Sequence, residues 1–494
     1  KKMLDNKWLG DKTGQGFYKR VGKDFHAIDL KTLEYRPAQK VKFASAEAAK
    51  PIEDLAPRLR ALVAANDRAG TFLWSVFSDL FLYSAEMVPE ISDNVYNIDR
   101  AMRWGYANKF GPFELWDALG FRDVVNRLEK EGRKLPENIQ EMVQQGASSF
   151  YCHDQGKTRY FDVVQSQYAT LAERPGVLSL ANVKSAHGVI EKNTGASLID
   201  LGDGVLCCEF HSKMNALGDD IFKMLYVGLE KLKHFQAMVV ANEGDNFSVG
   251  ANLTMVLLGA QDGEWDEIDA AIGHFQKVNM AMKYAPKPVV SAPFARALGG
   301  GCEIALHTHP QACAELYMGL VEVGVGLIPG GGGCKELVAR LKDARKVFEL
   351  IGYAKVSGSA DEAKQLGLLD KNAPVSMNAD RLIGDAKAYA LSLVPTYTPG
   401  VPRTDIKVSG QAGFALLKLG LWSARQGHYI SDHDVTVGEK LAHVLCGGNL
   451  TGEQTVSEQY LLDLEREAFL SLCGNPKTQE RMGYMLKTGK PLRN

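Results

Sequence analysis

Two short apolar runs, QAMVVANEG (residues 236–244) and KPVVSAPFA (287–295), each lead into a glycine-bounded turn: DNFSVGANL (245–253) and ALGGGCE (297–303). A run that is apolar on successive residues, not alternate ones, reads as a strand covered on both faces, the condition of a helix-wrapped parallel sheet. Amphipathic segments at helical spacing precede both runs, FKMLYVGLEKLKHF (222–235) and DEIDAAIGHFQKVNMAMKYA (266–285), and a further helix starts at Gly301. Ahead of them, SLIDLGDGVLCCEF (197–210) reads as a strand hairpin about Asp203-Gly204, and a short strand is expected near Ala312. Alternating strand and helix argues for an α/β domain.

The rest of the chain is organised differently. Its 494 residues leave room for roughly three domains. KKMLDNKWLG opens without an initiator Met and reads as mid-helix, so a truncated chain is expected, and LGDKTGQGFYKR (9–20) is a glycine-rich turn. Residues 21–55 read as a linker with Pro37 and Pro51, and residues 54–130 as helical. In that stretch GPFEL places a Pro in the first turn of a new helix after a Gly break. Residues 131–185 are mixed and polar, a second linking stretch, and after Lys335 the pattern is mostly helical, as in GFALLKLGLWSARQG and SEQYLLDLEREAFLSLC.

Charge excludes some functions. With 57 basic and 59 acidic residues interspersed, net −2, there is no basic stripe for nucleic acid or an anionic membrane. The most apolar window, TFLWSVFSDLFLYSAEMV, is broken by Ser75, Ser78 and Asp79 and falls short of a membrane span. Eight cysteines without CxxC or zinc spacing fit a reducing, cytoplasmic setting. Small-molecule chemistry is the default.

Glycine after a strand leaves peptide N–H groups uncovered, which suits a carbonyl oxygen gaining negative charge. The same glycines equally serve close helix packing, and for either turn alone both readings stand. Glu303 falls in the first turn of the helix that GGG opens, where an acid is ordinary. Glu322, in YMGLVEVGVGLIPGGGG, lies in an apolar stretch where a bare carboxylate is costly unless paired or functional. Two carboxyls beside two N–H donors would hold one water and move its proton. Other candidates are weaker. His307 and His309 have no third metal ligand nearby, Gly14-Gln15-Gly16 lacks a third glycine and a preceding strand, and PGGGG is followed by no Gly-Lys-Ser/Thr.

Together FSVGANL, ALGGGCEIALHTH and YMGLVEVGVGLIPGGGG resemble the enoyl-CoA hydratase/isomerase (crotonase) superfamily. LGDKTGQGFYKR resembles the end of a 3-hydroxyacyl-CoA dehydrogenase C-terminal helical domain, and IDRAMRWGYANKFGPFELWDALG resembles a second copy. This order is similar to single-chain dehydrogenase/hydratases of fatty-acid β-oxidation. The resemblance implies an α/β crotonase-like spiral of ββα units, preceded by an all-α dehydrogenase C-terminal-like domain and followed by a helical C-terminal region. The corresponding boundaries are 1–55 (domain end plus linker), 56–150 (second helical domain), 151–185 (linker), 186–375 (crotonase-like) and 376–494 (helical).

Carried over residue by residue, the resemblance puts the N–H groups of Ala251 and Gly300 at a thioester oxygen. Glu303 would activate water, Glu322 would deliver a proton to Cα, and Ala251, Asn252, Leu253 and Gly300 would bind substrate. Asn252, His309, Val321 and Cys334 depart from the common Asp, Asp, Pro and Thr. The implied reaction is hydration of trans-2-enoyl-CoA, with enoyl-CoA isomerisation or an inactive acyl-CoA-binding fragment as alternatives. Hydration needs no cofactor, and NAD is expected only in a nucleotide-binding domain absent from this chain. The expected partners are the acyl-CoA substrate, a thiolase and further copies of the chain, with no metal.

Overall fold

The computed structural model describes residues 1–39, 41–52 and 54–494. Lys40 and Glu53, both within the stretch read as linker, lie outside the described residues. The chain divides into two compact units, Lys1–Cys152 with Arg159–Ala169, and His153–Thr158 with Thr170–Asn494.

In the first unit, helices Leu55–Ala64, Arg68–Glu86, Val95–Tyr106, Pro112–Leu119, Phe121–Lys130 and Glu137–Gln144 enclose an aromatic core. Trp116 stacks on Phe81 at 5.0 Å and meets Phe150 edge-on at 5.3 Å. The GPFEL break is explained by its neighbour: a Cβ on Gly111 would lie 2.3 Å from Asp99, so only glycine lets that carboxylate approach. Asp99 accepts hydrogen bonds from the N–H groups of Phe113 (2.8 Å) and Glu114 (3.2 Å), satisfying donors that a helix start leaves open.

The stretch 21–55, expected as linker, is partly ordered. Tyr18–Val21, Asp24–Ile28 and Tyr35–Pro37 form a three-stranded antiparallel sheet, and Ala44–Ala49 is a helix. The missed signal is Gly22-Lys23, a two-residue hairpin loop with Gly22 at φ +63°. Its strands bury little, so hydrophobic pattern alone did not show them. Residues 131–185 likewise hold the helices Glu137–Gln144 and Leu180–His187 and three short strands.

The second unit is built on a six-stranded sheet whose spatial order follows the chain: Glu191–Lys192, Ala196–Asp200, Val205–Phe210, Ala237–Ala241, Val289–Ser291, His309–Pro310. The first two pairings are antiparallel and the rest parallel. The successive-apolar reading of the central strands is borne out by two cores. Leu206, Cys208, Met238 and Val240 enter one, while Val205, Cys207, Val239 and Val290 enter the other under helix Leu382–Leu393.

Between visits to this sheet the chain pairs in a second layer: Leu217 with Ala251, Ser248 with Ala297, and Ala295–Leu298 with Leu316–Gly319, all parallel. Helices Asp219–Lys231, Leu253–Asp262, Trp265–Lys283 and Gly300–Leu306 follow those crossings. The region after residue 376 does not stand apart. Leu461 and Phe469 of helix Glu458–Cys473 and Met482 of helix Pro476–Thr488 lie in the larger core. No described helix is long and apolar enough to cross a membrane.

Candidate active site

The two glycine turns meet because Ser248 pairs with the strand that carries the second. Ser248 N donates to Arg296 O (3.1 Å), and Leu298 N donates to Ser248 O (3.0 Å). Gly250, at φ +97°, then sits so close that a Cβ would stand 3.3 Å from Gly300 N. The amides of Ala251 and Gly300 donate to no acceptor among the described residues. Both border a cavity of about 480 Å³ together with Asn252, Glu303 and Glu322. Leu253 is not in the lining: it begins helix Leu253–Asp262 and packs on the core. Asn252 caps that helix, its Oδ1 accepting from Thr254 N at 3.2 Å, a task Asn and Asp perform alike.

Each glycine of the GGG run answers a different demand. Gly299 holds φ +52°, and a Cβ there would be 2.8 Å from Glu322 Oε1. At Gly300 a Cβ would meet Leu217 Cδ1 at 2.8 Å, and at Gly301 the Ser248 Cβ and O at 2.7 Å. Gly301→Ala is therefore expected to cost about 1–3 kcal/mol, the usual price of overpacking. A lowered urea midpoint with unchanged slope would report it.

Glu303 is buried, and its Oε1 accepts from Gly331 N and Gly333 N, both at 2.8 Å. Burial raises its pKa against the pull of those amides. Glu322 has fewer donors: its buried Oε2 has no hydrogen-bond partner, and burial followed by the charge of Glu303 pushes its pKa well up. The two acids differ in the state they favour. Glu303, held by two N–H groups, is the easier to ionise, and Glu322 the easier to keep protonated.

A third acid, unforeseen in the sequence, shares this centre. Glu465, fully buried on helix Glu458–Cys473, accepts from Gly332 N through Oε1 (2.8 Å) and from Lys335 N through Oε2 (3.1 Å). Burial and Glu303 raise its pKa. Its signal was present: position 465 lies on the apolar stripe of Leu461, Leu462, Ala468, Phe469 and Leu472. Much of the remaining wall is apolar, with Phe222, Val256, Ile268, Ile272, Phe275 and Phe469, and Asp219, Glu264, Glu267 and His274 also reach the lining.

Behind the glycine turn lies a buried ionic network. Lys335 Nζ donates to His307 Nε2 (2.8 Å), Glu336 Oε2 (2.9 Å) and Glu458 Oε1 (3.2 Å). Lys283 Nζ reaches both of these carboxylates at 2.7 Å. A lysine only donates, so His307 Nε2 accepts and its Nδ1–H donates to Glu303 O at 2.7 Å. Burial and Lys335 lower the His307 pKa to about 3, keeping the ring neutral. His309 is remote from this chemistry. It pairs in the last strand of the main sheet, its ring edge-on to Tyr397 at 5.9 Å.

Residues 201–388 match the family model described as enoyl-CoA hydratase/isomerase. That segment holds every lining residue of the cavity except Phe469. The whole chain is 45% identical to 63% of a Bacillus subtilis (strain 168) protein described as "Probable 3-hydroxyacyl-CoA dehydrogenase". It is 28% identical, over 98% of its length, to 62% of a Rickettsia felis protein named for a fatty acid oxidation complex trifunctional enzyme. The chain thus spans about three fifths of the curated relatives it matches. Among solved structures, an enoyl-CoA hydratase from Bacillus halodurans is 15% identical with a TM-score of 0.41, covering 58% of this chain and 98% of that one.

Proposed function

We propose that this chain is a lyase that adds water reversibly to trans-2-enoyl-CoA, giving 3-hydroxyacyl-CoA, within cytoplasmic fatty-acid β-oxidation. The observation that carries the reading is the convergence of two unequal carboxyls, Glu303 and Glu322, with two undonated amides in one cavity. The family description and the names of the B. subtilis and R. felis relatives support the substrate class.

In this mechanism the Ala251 and Gly300 N–H groups hold the thioester oxygen and stabilise the enolate as it forms, each such donor contributing about 10²–10³ in rate. Polarisation of the thioester makes Cβ electrophilic. Glu303, ionised, takes a proton from water as the water oxygen bonds to Cβ. Glu322, protonated, gives its proton to Cα. One proton is then passed back from Glu303 to Glu322 to close the cycle. The apolar wall receives the acyl chain. No step needs a cofactor, and a thiolase partner and self-association belong to the same proposal.

Because burial raises both carboxyls, the acid limb of the pH–rate profile is expected well above the ~4.3 of a free glutamate. The rate falls as pH drops through the pKa of Glu303, which must be ionised, and falls again as pH rises through that of Glu322, which must be protonated. Supplying matched 2-enoyl and 3-enoyl thioesters separates hydration from isomerisation. Loss of the 2-enoyl ultraviolet absorbance is expected to outpace turnover of the 3-enoyl compound. The reverse order would assign the site to proton shuttling between C2 and C4.

A further inference from the structure

The amides of the glycine turn are shared alternately between two acids: Gly331 and Gly333 donate to Glu303, while Gly332 and Lys335 donate to Glu465. The turn has little slack elsewhere. Gly330 faces the ring of Phe469, and Gly332, at φ +105°, faces His307 and Leu462, each so close that a Cβ would lie within 3.2 Å. Gln276 Nε2 ties Gly330 O to Leu462 O, at 2.9 Å each. Helix Glu458–Cys473 thus presses on the turn, and Glu465 is its polar clamp. This helix lies outside the segment matched by the family model.

We propose that Glu465 is a positioning residue for the hydration reaction: by holding the Gly332 and Lys335 amides it fixes the turn whose neighbouring amides aim the Glu303 carboxylate. The inference rests on the hydratase reading for its kinetic consequence, but the clamp itself does not. The titratable groups facing Glu465 are Glu303, Glu322, Cys334 and Lys335. Above about pH 8, where its own raised carboxyl ionises, Glu465 opposes loss of the Glu322 proton, so removing it moves the basic limb of the rate profile to lower pH.

Glu465→Gln preserves shape but offers one acceptor in place of two. Its kcat is expected to fall about 10- to 100-fold, the scale of a catalytic group displaced by a fraction of an ångström to an ångström. KM should stay within about threefold, since the cavity wall is untouched. Amide exchange at Gly331 and Gly333 should quicken, although their own acceptor is Glu303. Wild-type kcat with an unmoved basic limb overturns the proposal, as does a kcat loss with no shift of that limb and no faster exchange. Where Glu465→Gln does not fold, Glu465→Asp is held to the same criteria. Should the wild-type chain hydrate no enoyl-CoA, the hydratase reading fails, and exchange at Gly331 and Gly333 alone decides for or against the clamp.

Discussion

Glu303→Gln is expected to lower kcat for hydration by about 10²–10⁴, the range supplied by a positioned acid or base. Glutamine keeps a carbonyl oxygen for the Gly331 and Gly333 amides, so the turn is retained. What it loses is the capacity to take a proton from water. KM should change only a few-fold, because the proposed mechanism assigns the thioester and acyl chain to other groups, and the loss is one of transition-state stabilisation. Glu322→Gln is expected to fall comparably. The double variant should be little slower than either single one, because in the proposed mechanism the acids act on one water and one substrate as a unit. Steady-state rates over a range of enoyl-CoA concentrations, normalised to folded protein, measure all three.

Glu336→Gln is expected to be the most damaging single change for stability. Burial by itself would raise the Glu336 carboxyl, but Lys335, Arg340, His307 and Lys283 hold it well below the usual range. Removing its charge leaves Lys335 and Lys283 with Glu458 as their remaining carboxylate and takes the carboxylate partner away from Arg340. Breaking a buried charge network in this way costs about 3–5 kcal/mol. The sign with pH follows from the depressed pKa. The contribution of Glu336 is complete above the unfolded-state value of ~4.3 and is lost as pH falls through the lower folded value. The variant should therefore unfold at lower denaturant at neutral pH, and the difference from wild type should shrink on strong acidification. Equal midpoints at pH 7 would contradict this reading.

Much of the second unit was legible in the sequence, because strands buried on both faces print their burial as unbroken apolar runs. QAMVVANEG and KPVVSAPFA both lead to strands of the main sheet. The glycine turns after them were legible too, since GGG answers backbone clashes that no side chain tolerates. What could not be read was long-range. Nothing local in SEQYLLDLEREAFLSLC states that Glu465 meets a glycine turn more than a hundred residues earlier. The Glu465 bonds to Gly332 and Lys335 span 133 and 130 positions. The apolar wall of the cavity escaped for the same reason, drawing on Phe222, Phe275 and Phe469 from three separate helices. Leu253 shows the converse. A motif placed it next to the site, but helical geometry turned it to the core.

The reaction itself is tested most directly in water enriched in heavy oxygen, with mass spectrometry of the thioester formed from trans-2-enoyl-CoA. The expected product is 3-hydroxyacyl-CoA carrying one heavy oxygen at C3, formed rapidly by the wild-type chain and slower by about 10²–10⁴ with Glu303→Gln. No heavy oxygen in the wild-type product, or equal rates of incorporation by both proteins, would contradict the assignment of Glu303 and Glu322 as the pair that adds water.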